Sequence, residues 1–193
     1  MADDMSNGYN AIAEEFIAVR SEVGRIVVMN WAATLPAGGS IVDVGAGSGE
    51  PLTSVLIDSG LVVSAIDASP KMVRAFRRRF QGVEVACEAA ERSSFFDQTF
   101  DAILAVGLVF LLPPDRQYEL FSRMTGALKR EGRMLFSAPH QVCTWDDVLT
   151  GRRSWSLGEE EYGHILTNCG LQLTNQLTDE GGTHYFEAQK ASS

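Results

Sequence analysis

From Gly39 onward, short β-branched runs alternate with amphipathic stretches, and no other feature restricts the fold of this chain as much. The spacing predicts strands over 40–44, 62–66, 83–87, 102–106 and 133–137, and their nearly unalternating apolar character suits burial on both faces. Between them, apolar residues at three- and four-residue spacing predict helices over 50–59, 70–80, 114–129 and 157–169. Ser69-Pro70 and Pro113-Pro114 are helix starts, and Gly132 and Gly170 are stops. Such an order makes βαβ units on a mostly parallel sheet. Two further runs, 171–178 and 183–189, flank Asp179-Glu180-Gly181-Gly182. That connection is too short for a crossover helix, so these strands form an antiparallel hairpin. The expected fold is therefore an α/β three-layer sandwich with a seven-stranded, mostly parallel sheet closed by a C-terminal antiparallel hairpin.

Ahead of the sheet, 9–33 reads as helical, with Tyr9, Ala13, Phe16 and Arg20 on one face. We expect one domain over 1–193, with 1–35 as a helical lid, 39–190 as the core, and loose ends at 1–7 and 190–193.

The net charge of -9 repels phosphate backbones and argues against nucleic acid as a partner. Arg74, Arg77, Arg78 and Arg79 have the spacing of a solvated helix face. Cys87, Cys143 and Cys169 lack Cys-x-x-Cys spacing, so neither a disulfide framework nor a metal site is expected. No apolar run reaches the ~20 residues that span a bilayer, and Asp3 and Asp4 break the pattern of a secretion signal. The expectation is a cytoplasmic protein with no membrane association, monomeric or homodimeric.

The chemistry-bearing stretch is Ser40-Ile41-Val42-Asp43-Val44-Gly45-Ala46-Gly47-Ser48-Gly49-Glu50-Pro51, an apolar strand entering a glycine-rich turn at a helix start. Glycines there allow positive backbone angles and let a ligand approach the main chain. The next strand ends at Asp67, whose carboxylate is placed to accept hydrogen bonds from ribose hydroxyls. Two cofactor classes compete for this pattern. A dinucleotide brings a pyrophosphate to the helix N-terminus, where an acid is unfavourable. S-adenosylmethionine carries an ammonium and a sulfonium and no phosphate, so Asp43 and Glu50 favour it.

With these residues in view, the chain resembles a class I S-adenosylmethionine-dependent methyltransferase of the small-molecule type, with a Rossmann-like fold, over about 9–189. Val42 to Gly49 resembles the first motif, with its acid at Asp43 and its backbone at Gly45, Ala46, Gly47 and Gly49. Ile66-Asp67-Ala68-Ser69-Pro70-Lys71-Met72 resembles the second, which implies that Asp67 binds ribose and that Ala68 flanks the adenine; Met72 reads equally as core or as adenine wall. Glu88-Ala89-Ala90-Glu91 falls at the third, with Ala89 where an aspartate is common, so that Ala90 and Glu91 would serve through the backbone. Phe100 to Gly107 resembles the fourth-strand motif, bringing Val106 and Gly107 to the cofactor. The resemblance also implies Tyr9 as a cofactor contact and Arg20 as a partner for the cofactor carboxylate, against a surface salt bridge for Arg20. S-adenosylhomocysteine would be the product.

In an open α/β sheet the ligand lies beyond the carboxyl ends of the strands. Phe110 follows the fourth strand in an apolar run. After the fifth, the long segment 139–156 carries His140, Trp145 and Trp155 and has the composition of a substrate lid. The expected acceptor contacts are Phe16, Phe110, His140, Trp145, Trp155 and Tyr185, with His140 as general base and His184 as the second candidate. The rival readings are a nicotinamide-dependent oxidoreductase and a binding module that has lost its chemistry.

Overall fold

The computed structural model describes residues 4–192. The chain enters through two short helices, α1 (Ala13–Val19) and α2 (Arg25–Ala32). It then alternates β1 (Ser40–Val44), α3 (Leu52–Asp58), β2 (Val62–Asp67), α4 (Pro70–Arg79), β3 (Glu84–Cys87), β4 (Phe100–Ala105), α5 (Pro114–Gly126) and β5 (Leu128–Ser137). A small hairpin, β6 (Val142–Asp146) and β7 (Arg153–Leu157), leads into α6 (Gly158–Asn168), β8 (Leu171–Thr178) and β9 (His184–Lys190). The main sheet has seven strands in the order β3-β2-β1-β4-β5-β9-β8. Strands β1 to β5 are mutually parallel, whereas β9 runs antiparallel to both β5 and β8.

Because successive side chains of a strand face opposite ways, each central strand feeds two cores. Ile41, Leu104, Leu135 and Tyr185 pack under α2 and α3 with Val28, Trp31 and Leu56. Their neighbours Val42, Ile103, Phe136 and Phe186 pack under α5 and α6 with Phe121, Tyr162 and Leu166. Residues of this kind buried on both faces produce the continuous apolar runs seen in the sequence. Parallel order puts the carboxyl ends of β1, β2 and β4 on one edge, with the strand order reversing between β1 and β4. A crevice forms there.

Ser69 caps α4 as expected, its hydroxyl accepting from the Met72 amide at 3.2 Å. The N-terminal region departs from expectation, forming two helices in place of one long one. Gly24 adopts φ 86° and is buried against Tyr185, where an added Cβ would lie 2.4 Å from the phenol oxygen. The chain turns there because only glycine fits that approach. A second departure is 139–156, which holds the β6–β7 hairpin rather than a structureless loop. The third concerns the termini: Asp4 fixes the first turn by accepting from the amides of Ser6 and Gly8, and Lys190 ends β9 with its ammonium on the carbonyls of Thr125 and Leu128. The looseness expected for 1–3 and 193 lies outside the described residues.

Candidate active site

The crevice is a cavity of about 340 Å³. Its floor is the turn after β1. The amides of Gly45 and Ala46 donate to the Ile66 carbonyl at 2.8 and 3.1 Å, which fastens the turn to the end of β2. Gly47 has φ 59° and nothing within 4 Å of where a Cβ would stand, so its backbone is open to the cavity. Gly49 is the opposite case, buried against Phe76 and Phe80 of α4 and not part of the lining.

Asp67 holds the rim. Its Oδ2 accepts from the Gly47 amide at 2.8 Å and its Oδ1 from the Ser69 amide at 2.8 Å, and it faces the cavity. Each oxygen keeps unused acceptor capacity. Burial pushes the Asp67 carboxyl above its usual range, against the pull of those two amides. Asp43 lies beneath the turn, 3% exposed and outside the lining, accepting from the Thr53 hydroxyl at 2.6 Å. Burial, reinforced by the nearby Asp67 charge, moves it up to about 6 despite that hydroxyl. Asp43 thus sits behind the turn rather than among the residues that line the cavity.

Ala68, Met72, Ala90, Glu91, Val106 and Gly107 all border the cavity. Met72 is also 2% exposed overall, so it is core and wall at once. Glu91 is buried and ion-paired with Arg116 at 3.4 Å. Asn10 ties the entering segment to the second motif, its Oδ1 accepting from the Ser69 hydroxyl and the Lys71 amide.

Opposite the turn, Tyr9 and Phe16 meet edge to face at 5.2 Å and line the cavity with Arg20, Phe110 and Tyr185. Arg20 donates to the Glu50 carbonyl at 3.4 Å and sits 5.7 Å from the Phe16 ring centre. Two tyrosine–aspartate pairs complete the wall. The Tyr9 hydroxyl donates to Asp147 Oδ2 at 3.1 Å, and the Tyr185 hydroxyl to Asp179 Oδ2 at 2.8 Å. Burial first, and the adjacent carboxylate second, hold both phenols far above their ordinary value, so they act as neutral donors. The Asp4–Arg152 ion pair at 3.3 Å joins the same two segments as Tyr9–Asp147.

The structure does not bring the expected histidines to this place. His140 is exposed, with its ring 5.3 Å from that of His184, and neither lines the cavity. His184 Nε2 instead pairs with Gln176 Oε1 at 2.8 Å. Trp145 stands one layer back, tilted against Phe110 at 5.5 Å, and Trp155 is also outside the lining, its carbonyl accepting from Gln117. The hairpin accounts for both displacements, because pairing β6 with β7 fixes these side chains on its own surfaces. Asp147 and Asp179 are cavity residues that sequence reasoning missed. Asp147 gave no signal beyond its place in the lid segment, and Asp179 reads as an ordinary turn former in Asp-Glu-Gly-Gly.

A glycine turn open to a crevice, an acid at the end of the second strand and a terminal antiparallel hairpin are the features expected of the class I S-adenosylmethionine-dependent methyltransferase fold. Residues 41–132 match the model of a family described as "Methyltransferase domain". That stretch contains the turn, Asp67 and 88–91, so the matched region covers the residues expected to hold S-adenosylmethionine. Among solved structures it is similar to the CcbJ methyltransferase from Streptomyces caelestis, with TM-score 0.77 at 15% identity over 97% of this chain and 98% of that one. It is also similar to a SAM-dependent methyltransferase from Methanosarcina mazei, with TM-score 0.70 at 20% identity, covering 86% and 98% of the two chains. A third is the Burkholderia thailandensis 1,6-didemethyltoxoflavin-N1-methyltransferase, solved with 1,6-didemethyltoxoflavin and S-adenosylhomocysteine, with TM-score 0.69 at 18% identity over 99% and 92%. No curated protein matches the chain. No helix among the described residues is long and apolar enough to cross a membrane.

Proposed function

We propose that the cavity holds S-adenosylmethionine against the Gly45–Gly49 turn and Asp67, and that the wall formed by Phe16, Phe110, Tyr9 and Tyr185 receives a small-molecule acceptor. The observation that carries this reading is the continuity of one cavity from Gly47 and Asp67 to the two tyrosine–aspartate pairs. The residues suit the cofactor chemically. Gly47 leaves the space that a Cβ would fill, Asp67 has acceptor capacity left for ribose hydroxyls, and Arg20 offers a guanidinium for a carboxylate. A bound sulfonium supplies an activated methyl group.

The protein's contribution is positional. A desolvated apolar wall orients the acceptor and excludes water. No histidine lies at the cavity, so any proton taken from the acceptor passes to solvent or to a carboxylate of the wall. A cavity of about 340 Å³ suits a small ligand, and the Burkholderia relative carries such a ligand. A nicotinamide dinucleotide fits poorly, since Glu50 lines the cavity at the end of the turn where its pyrophosphate would lie.

Titration calorimetry with S-adenosylhomocysteine and with NADH tests the first half. Heat from the former alone is expected, and it should vanish in Asp67→Ala. Transfer of a labelled methyl group to a panel of phenols, thiols, amines and carboxylic acids tests the second half. Cofactor binding without transfer to any acceptor would favour the inactive binding module.

A further inference from the structure

The cavity carries more negative charge than its own residues neutralise. Glu50, Asp67, Glu88, Glu91, Asp147 and Asp179 line it, against Arg20 as the one lining guanidinium among the described residues. Glu50 and Glu91 are ion-paired with Arg79 and Arg116. Asp67 is engaged by two amides at the turn. Asp147 takes the amides of Leu149 and Thr150 and the Thr150 hydroxyl on Oδ1 and the Tyr9 hydroxyl on Oδ2, and Glu88 takes the Ser93 hydroxyl.

Of the four lining acids without an ion pair among the described residues, Asp67, Glu88, Asp147 and Asp179, the last is the least exposed to solvent. It is 8% exposed, and it accepts from the amides of Gly181 and Thr183 on Oδ1 and from Tyr185 on Oδ2. Among the described residues it has no cation within ion-pair distance. A carboxylate has about four acceptor positions, so one remains, on a group whose burial without a counter-ion is costly. The turn amides and Tyr185 hold the charge in place, facing a cavity also lined by the aromatic rings of Tyr9, Phe16 and Phe110. Aromatic faces and a fixed anion together are what an organic ammonium binds.

Resting on the reading of this cavity as the transfer site, we propose that the acceptor is an amine and that Asp179 selects it by binding its ammonium form. The protein's net charge of -9 steers such a cation inward. Before transfer the ammonium releases a proton to solvent. Its nitrogen lone pair then forms the N–C bond while the C–S bond breaks and its electron pair stays on sulfur. The product nitrogen is cationic until it too loses a proton to solvent, and it leaves neutral or reprotonated. The competing occupant of Asp179 is the amino group of the cofactor itself.

The test is calorimetry on protein saturated with S-adenosylhomocysteine, using phenethylamine, 2-phenylethanol and 3-phenylpropanoate as matched probes. The amine is expected to bind at least tenfold more tightly than either of the others. Asp179→Asn, which keeps the acceptor for Gly181 and Thr183, should reduce that preference below threefold and leave affinity for S-adenosylhomocysteine within twofold. Tyr185→Phe frees Oδ2 of Asp179 and removes no charge, so the amine preference should rise; an unchanged or lower preference counts against Asp179, and this variant serves if the first does not fold. Absence of an amine preference, including no binding of any probe, overturns the proposal. So does a preference that persists in Asp179→Asn, or a parallel loss of S-adenosylhomocysteine affinity, which would give Asp179 to the cofactor. Failure of the wild type to bind S-adenosylhomocysteine at all is a different result and removes the transfer-site reading itself.

Discussion

Replacing Gly49 with alanine should destabilise the protein far more than the same change two residues earlier, although both glycines belong to one motif. Gly49 has φ 88°, and an added Cβ would lie 2.3 Å from the Phe80 ring and 2.9 Å from the Phe76 ring. Those rings are packed on each other at 4.8 Å, and Phe76 is fully buried. A left-handed backbone costs an alanine about 1–2 kcal/mol, and forcing a methyl group into a filled core costs about 1–3 kcal/mol more. Gly49→Ala is thus expected to lose roughly 2–5 kcal/mol, through the sum of these two terms. Gly47, at φ 59° with nothing within 4 Å, pays only the backbone cost of about 1–2 kcal/mol. Its methyl group would enter the cavity instead, so Gly47→Ala should weaken S-adenosylhomocysteine binding at least tenfold. Urea denaturation at an unchanged m-value measures the first quantity, and calorimetry the second. If the two variants were equally stable, the argument that Gly49 is a packing glycine and Gly47 a ligand glycine would be wrong.

Asp43 makes stability depend on pH in the direction opposite to a paired carboxylate. Its folded value of about 6 lies above the ordinary 3.8, so its contribution is complete below 3.8 and is lost as pH rises through 6. That is about 3 kcal/mol, and Asp43→Asn should flatten the profile between pH 4 and 7 in parallel urea melts; superimposable profiles would contradict it. His140→Ala should change kcat by less than twofold on any acceptor found, because the ring is outside the cavity; a hundredfold loss would restore it as the base. Tyr9→Phe removes a hydrogen bond to a charged partner, about 1.5–3 kcal/mol, from the joint between the entering segment and the hairpin. The expected result is a rise in acceptor KM of roughly tenfold with kcat little changed, read by steady-state kinetics.

How legible the protein was in its sequence follows the range of the forces involved. Strand and helix positions in the core were legible because burial on both faces of a sheet writes itself into local residue patterns, as at Ile41, Val42 and Val44. The cofactor turn was legible for a related reason. Glycine at 45, 47 and 49 answers to backbone geometry within a few residues, and Asp67 follows at the end of the next strand.

The second half of the cavity was legible in its rings, since Tyr9, Phe16, Phe110 and Tyr185 were expected at the site and line it, but not in its acids. Tyr9 meets Asp147 across most of the chain length, and a phenol and a carboxylate that distant leave no periodic trace. His140 looked like a base because it follows β5, yet its ring lies exposed beside that of His184 and outside the cavity. Asp43 belongs to the glycine motif, yet the structure buries it behind the turn against Thr53. The sequence by itself determined the fold class and the glycine turn with its acid, because both depend on contacts between near neighbours. Only the tertiary structure decided which acids face the cavity, since long-range packing alone brings Asp147 to Tyr9 and that pair to the wall that holds Asp179 and Tyr185.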